Sequence, residues 1–170
     1  MIREATGHDL DGILEIYNEA IANTTAVYDY KVHTLEDRKR WLEKKQKDGY
    51  PVLVFEKNNQ VAGFATFGPF RAWPAYKYTI EHSVYVNKEL RQEGIATKLL
   101  QALIHIANRR QYATLVAGID ASNEKSIKLH EKLGFEYSGV IKRAGYKFGT
   151  WLDLAFYQLQ LNGPSHPTEQ

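Results

Sequence analysis

The sequence predicts a single mixed α/β domain, and three observations carry that expectation. The chain has 170 residues, which at roughly 100 to 200 residues per domain is one domain long enough to bury a full core. Apolar residues make up 44% and charged residues 25%, ordinary globular values that exclude a disordered or fibrous chain. Helical spacing and strand alternation succeed one another along the chain, giving about seven strands and about four helices. With 22 Lys plus Arg against 20 Asp plus Glu the net charge is +2. That is too balanced for a protein whose work is neutralising a nucleic-acid backbone. There is no cysteine, which removes disulfides, thiolate metal sites and cysteine nucleophiles. Glu4, His8, Asp9, Asp11 and Glu15 interrupt any apolar run at the start, so neither a secretory signal nor a membrane span is expected, and a cytoplasmic location follows by default.

Taken in order, Met1 to Ala5 reads as a short extended segment, followed by a helix in which Leu10, Ile13, Leu14, Tyr17 and Ile21 share one face, with Asp9 as its cap. A second, charged helix starts at Thr34, turns Leu35, Trp41 and Leu42 inward, and stops at Asp48-Gly49. Val52 to Lys57 and Val61 to Phe67 read as an antiparallel hairpin joined by Asn58-Asn59-Gln60. After a loop over Gly68 to Ala75, Tyr76 to Val86 alternates as a strand: Tyr76, Tyr78, Ile80, His82, Val84 and Val86 on one face, Lys77, Thr79, Glu81, Ser83 and Tyr85 on the other. Ile95, Leu99, Ala102, Leu103, Ile106 and Ala107 mark the strongest amphipathic helix, ending near Arg109-Arg110. Thr114 to Ile119 is a short apolar strand, followed by a helix capped by Asn123 and closed by Gly134. Phe135 to Lys142 and Trp151 to Leu161 are the last strands. In the final one the apolar phase slips between Phe156 and Tyr157, which means a bulge or burial on both faces. The domain is expected to span residues 1–162, with 163–170 a loose tail.

The stretch from Ser83 to Thr97 carries the strongest functional signal, because a long strand passes through a tight turn straight into a long helix. A helix start leaves backbone N–H groups without partners and adds the positive end of the macrodipole, so it suits a phosphate or pyrophosphate. Gly94 and Ala96 are small enough to let an anion approach the backbone. A strand–helix connection that merely needs a glycine fits the same residues. Neither a P-loop nor a dinucleotide fingerprint occurs.

Arg91-x-x-Gly94-x-Ala96 matches the Q/R-x-x-G-x-G/A motif of the GNAT acetyltransferase superfamily, and the element order resembles that family over nearly the whole chain. Asn123-x-x-Ser126-x-x-Leu129-His130-Glu131-x-Leu133-Gly134-Phe135 is similar to its second cofactor segment. More narrowly, Thr79-Ile80-Glu81-His82-Ser83-Val84-Tyr85-Val86, Leu129 to Phe135, and Gly145-Tyr146-Lys147-x-Gly149-x-Trp151-x-Asp153 resemble the phosphinothricin N-acetyltransferase branch, which includes enzymes acting on methionine sulfone and methionine sulfoximine. The resemblance implies a twisted, mixed, mostly antiparallel sheet flanked by helices. It also implies acetyl-CoA as donor, a small amino-acid-like acceptor and a homodimer.

Carried over by position, the backbone of Val84, Tyr85 and Val86 pairs with the pantetheine amides as an added strand would. Arg91, Gln92, Glu93, Gly94, Ile95, Ala96 and Thr97 form the pyrophosphate turn, in which the Glu93 carboxylate is unfavourable unless it points outward or Arg91 and Lys98 offset it. Asn123, with Ser126, either contacts the pantetheine arm or simply caps its helix. Acetyl transfer needs an unprotonated amine, and a free α-amino group has a pKa of about 8, so a base is required. Glu81 is the candidate; an ion pair with Lys77 is the alternative use of that carboxylate. His130 either donates a proton to the departing thiolate or packs as a helix histidine. The backbone N–H near Tyr85 is the candidate oxyanion donor.

For the acceptor, Arg71 suits a carboxylate because guanidinium binds it as a bidentate fork. Trp73, Tyr76, Tyr28 and Trp151 are candidate walls, although aromatics also fill cores. His8, His33, His105 and His166 show no ligand spacing, so no metal is expected. Other activities compatible with the motifs are acetylation of a protein N-terminus or lysine, or acyl-CoA sensing without turnover. No nucleic-acid or membrane partner is expected.

Overall fold

The computed structural model describes residues 1–91 and 93–170. Among these residues the elements are β1 (Ile2–Glu4), α1 (Leu10–Asn23), α2 (Leu35–Asp48), β2 (Val52–Lys57), β3 (Gln60–Pro69), β4 (Thr79–Val86), α3 (Ile95–Arg109), β5 (Thr114–Asp120), α4 (Glu124–Lys132), β6 (Glu136–Lys147) and β7 (Thr150–Gln160). The strands form one seven-stranded sheet in the order β1-β2-β3-β4-β5-β7-β6. β4 and β5 pair in parallel, whereas β1–β2, β2–β3, β5–β7 and β6–β7 are antiparallel. The mixed α/β expectation with seven strands and four helices therefore holds. No helix of the described residues is long and apolar enough to cross a membrane.

Two compact units make up the chain. The first comprises Met1–Phe67 with Ser83–Leu103. Its core joins Leu10, Ile13 and Ile16 of α1 and Leu42 of α2 to Val52, Val54 and Phe64 of the β2–β3 hairpin, with Tyr17, Trp41 and Tyr85 packed against it. Asn58 and Asn59 both take positive φ, at 52° and 61°, the conformation a two-residue hairpin turn needs. Thr34 caps α2 through a reciprocal box with Asp37, and Gly49 ends that helix in the left-handed region.

Two details of this unit differ from expectation. The Asp9 carboxylate does not cap α1. It accepts from the Thr6 N–H at 2.8 Å and from the Arg3 guanidinium at 2.8 Å, closing a capping box on a 3-10 turn at Gly7–Asp9. Leu35 is exposed at 47%, because the first turn of α2 precedes the part of the helix that meets the hairpin.

The second unit comprises Gly68–His82 with Ile104–Gln170. Its core includes Ile80, Leu115, Ala117, Ile119, Phe135, Leu152, Ala155 and Tyr157. β4 starts at Thr79, later than its alternation suggests, because Pro74–Tyr76 forms a 3-10 turn with the proline in its first positions. β6 runs on to Lys147, past the expected end at Lys142, and joins β7 through Phe148 and Gly149, at φ 53° and 72°. The irregularities lie in β6, between Tyr137 and Gly139 and between Ile141 and Gly145, whereas β7 pairs with β5 without a break from Leu154 to Gln160. At the second of them Arg143 has φ 55° and its N–H donates to Asp153 Oδ1 at 2.9 Å. In residues 163–170, Ser165 N–H donates to Gln111 Oε1 and Thr168 N–H to the Tyr78 hydroxyl, both at 2.9 Å.

Candidate active site

β4 carries Glu81 and Tyr85 on one face and His82 on the other, as alternation along a strand requires. In the parallel pairing Glu81 stands opposite Val116 of β5. Its carboxylate reaches along β5, so that a Cβ placed on Gly118 would lie 3.1 Å from Glu81 Oε2. Burial alone pushes the Glu81 carboxyl above the usual carboxylate range. Among the described residues no cation pairs with it. The ammonium of Lys77, the alternative partner, donates instead to the Gln170 main-chain oxygen at 2.7 Å and to Thr168 Oγ1 at 3.3 Å.

On the opposite face, His82 and His130 stack with ring centroids 5.2 Å apart and their Nε2 atoms at 3.0 Å. His130 Nδ1 lies 2.7 Å from the Ser126 carbonyl, which can only accept, so that nitrogen carries a proton. In a neutral ring His130 Nε2 is then an acceptor, and His82 Nε2 donates to it. Burial and the neighbouring His130 push the His82 imidazole down to about 3, and burial also lowers His130. The pair is therefore neutral near pH 7. Both ring nitrogens of His130 are engaged, and Phe135 packs edge-on against its ring. Asn123 Oδ1 accepts from the Ser126 N–H at 3.2 Å, the capping bond of α4.

The first unit holds the turn before α3. Gly94 has φ 77°, and a side chain built there would meet nothing within 4 Å. Ile95, Ala96 and Thr97 form the first turn of α3, the part of a helix whose N–H groups lack an intrahelical acceptor. Glu93 forms an ion pair with Lys57 of β2, which turns its carboxylate aside. The offsetting cations expected from sequence are used elsewhere: Arg91 binds Glu19 at 3.0 Å, and Lys98 lies 5.8 Å above the Phe55 ring. Gln92 lies outside the described residues. Val84 and Val86 are half-buried. The Tyr85 ring packs at 5.5 Å from Tyr17 and 5.2 Å from Phe64. Tyr28 is exposed.

The candidate acceptor residues other than Tyr28 belong to the second unit. Arg71 is exposed and has no carboxylate partner among the described residues, its guanidinium standing 5.5 Å from the Phe70 ring. Trp73 is 75% exposed, and Tyr76 packs against Phe70 at 5.8 Å. Trp151, at the start of β7, packs with Tyr146 at 5.0 Å and lies beneath the Arg143 guanidinium at 4.4 Å. Sequence reasoning missed Gly118 and the pairing of His82 with His130. An isolated glycine inside an apolar strand was the available signal for the first; nothing local marks the second, whose partners are 48 residues apart.

A sheet in which β4 and β5 run parallel, a glycine turn leading into α3 and a capped α4 ending at a glycine agree with the class expected from the motifs. The chain belongs to the GNAT acetyltransferases: the Acetyltransferase (GNAT) domain family matches residues 2–156. It is 44% identical over 162 residues to the L-methionine sulfoximine/L-methionine sulfone acetyltransferase of Pseudomonas aeruginosa PAO1, covering 95% of this chain and 94% of that one. The crystal structure of an N-acetyltransferase from Staphylococcus aureus Mu50 matches with a TM-score of 0.95 and 59% identity over 95% of this chain and 98% of that one. A GNAT superfamily phosphinothricin acetyltransferase from Sinorhizobium meliloti, solved in complex with acetyl-CoA, matches with a TM-score of 0.94 and 34% identity over 99% and 93% of the two chains. The superfamily and the branch expected from the motifs are thus borne out.

Proposed function

We propose that the protein transfers the acetyl group of acetyl-CoA to the α-amino group of a small amino-acid-like acceptor of the methionine sulfone, methionine sulfoximine or phosphinothricin type. The observation that carries this reading is the Glu81 carboxylate, half-buried and without a cationic partner among the described residues. A group that only held the fold together would be expected to have its charge paired. The named relatives support both the donor and the class of acceptor.

In this reading Glu81 takes one proton from the acceptor's ammonium, directly or through a water, and the free amine attacks the thioester carbonyl. A backbone N–H near Tyr85 donates to the oxygen that becomes negative. The carbon–sulfur bond then breaks, CoA leaves as thiolate, and the proton still on the new amide nitrogen neutralises it. Val84, Tyr85 and Val86 offer backbone to the pantetheine arm. Arg91, Glu93, Gly94, Ile95, Ala96 and Thr97 form the pyrophosphate turn, and Asn123 and Ser126 supply the second cofactor segment while capping α4. His130 has both nitrogens engaged, so a donor role requires it to exchange the His82 bond for one to sulfur; with that bond kept, it serves as an oriented neutral wall. Arg71 clamps the acceptor carboxylate, with Trp73, Tyr76 and Trp151 as walls.

CoA release measured over methionine sulfone, methionine sulfoximine, phosphinothricin, free amino acids and a short peptide tests the reading. Turnover of the first three above the peptide is expected; turnover of the peptide alone would replace this function with protein acetylation, and no turnover with acyl-CoA sensing. The assembly proposed is a homodimer in the cytoplasm. Tyr146, Phe148 and Trp151 are all exposed around the β6–β7 turn, a density of aromatics suited to an interface. Light scattering at micromolar concentration is expected to give twice the chain mass, and a monomer mass would overturn the assembly.

A further inference from the structure

β5 is an interior strand lying between β4 and β7 in the sheet order. Its residues Val116, Ala117, Ile119 and Asp120 are all buried, yet Gly118 in their midst is exposed. Such an opening on an interior strand means that the sheet face is hollow at that point. Register explains what surrounds the hollow. Glu81 pairs with Val116, Gly118 with Phe156 and Asp120 with Leu154, so Glu81, Gly118, Phe156 and Leu154 all stand on one face. A Cβ at Gly118 would meet Glu81 Oε2 at 3.1 Å, Leu154 Cδ1 at 3.4 Å and Phe156 Cε1 at 3.7 Å. A carboxylate oxygen, a methyl group and an aromatic edge therefore converge on the volume that this one missing side chain leaves.

We infer that Gly118 is a positioning residue for the base: its missing side chain gives the Glu81 carboxylate its seat against apolar walls and leaves the floor on which the acceptor's α-amino group meets it. The inference rests on the reading of Glu81 as base. A Cβ contact of 3.1 Å is tighter than ordinary van der Waals contact, so an alanine would push the carboxylate a few tenths of an ångström out of the hollow and toward water. Two consequences follow, a lower rate and a lower basicity. The carboxylate moves off the line to the amine, lowering the rate. It also becomes better solvated, so its pKa falls toward the ordinary value and activity persists to lower pH.

The test is a set of variants assayed for kcat/KM of methionine sulfone as a function of pH, with acetyl-CoA affinity followed by calorimetry. Gly118→Ala is expected to lower kcat/KM on the order of tenfold, the scale of sub-ångström misplacement, to shift the acid limb to lower pH, and to leave acetyl-CoA affinity unchanged. Gly118 is not in the left-handed region, so alanine fits its backbone. In a Glu81→Asp background, whose shorter side chain stays clear of a Cβ, Gly118→Ala is expected to cost less than about twofold, a coupling that a general loss of packing would not produce. Phe156→Ala, which removes a wall without touching Gly118, is expected to move the acid limb in the same direction. Glu81→Gln is measured alongside. If it loses activity while Gly118→Ala keeps the parent rate and limb, or loses equally in the Asp background, the role of Gly118 is overturned. If Glu81→Gln itself keeps the parent rate, the reading of the base fails first and the inference falls with it.

Discussion

Glu81→Gln is expected to lower kcat/KM by roughly 10² to 10⁴, the range for a positioned general base, while leaving the fold and acetyl-CoA affinity as they are. The pH dependence gives the sharper reading. Burial raises the Glu81 carboxyl above its ordinary value, so it is neutral, and unable to accept a proton, at pH values where an exposed glutamate is already ionised. The parent rate should therefore rise as pH climbs through that raised pKa, and this limb should be absent from the Gln variant. The deficit should shrink toward pH 9.5, where an α-amino group of pKa about 8 is already free. His130→Phe should leave that high-pH recovery intact, because the histidine pair is neutral throughout the range. A Glu81→Gln to parent ratio equal at pH 7 and pH 9.5, under subsaturating acceptor, would make Glu81 a structural residue and move the search to an ordered water.

Gly94→Asp is the second large effect, and it acts on the donor. The position has φ 77° and open space around it, so the substitution brings two separable penalties: a left-handed backbone costing roughly 1–2 kcal/mol for a residue with a side chain, and a negative charge where a pyrophosphate is proposed to sit. Asparagine tolerates left-handed geometry better than most residues and carries no charge. Acetyl-CoA affinity measured by calorimetry should therefore fall about tenfold or more in Gly94→Asp and distinctly less in Gly94→Asn. Equal binding by Gly94→Asp and the parent would remove the pyrophosphate from this turn.

Most of the fold was legible because each element depends on local periodicity. The four helices and the β2–β3 hairpin lie where spacing puts them, although Asp9 does not cap α1 and Gln60, expected in the turn, pairs with Lys57 as the first residue of β3. β6 was half missed for a physical reason: its irregularities at Gly139 and between Ile141 and Gly145 break the two-residue repeat, and most of its residues are exposed. Asp9 illustrates a different limit, since a capping residue was read as serving the helix beside it while the Arg3 guanidinium drew its carboxylate away. In the candidate site, the glycine turn before α3 and the carboxylate on β4 were readable from motif and alternation. The hollow at Gly118 was not, because it exists only where β5 is flanked by β4 and β7, elements remote from it in sequence. The histidine pair was hidden in the same way.

The Lys57–Glu93 pair bears on how the turn before α3 tolerates an acid. An isolated carboxylate repels an approaching dianion over the full screening length, about 8 Å at physiological ionic strength. Paired, the two side chains present a dipole, whose field decays faster with distance, so the attraction of the helix-terminal N–H groups dominates at the range where the proposed pyrophosphate would dock. Both partners are substantially exposed, at 40% and 42% of their side chains, so added salt loosens them. The same salt shortens the reach of the liberated carboxylate. Glu93 is thus either neutralised by its lysine in dilute buffer or masked by counter-ions in concentrated buffer, and over neither range does it act on an incoming diphosphate as a bare charge.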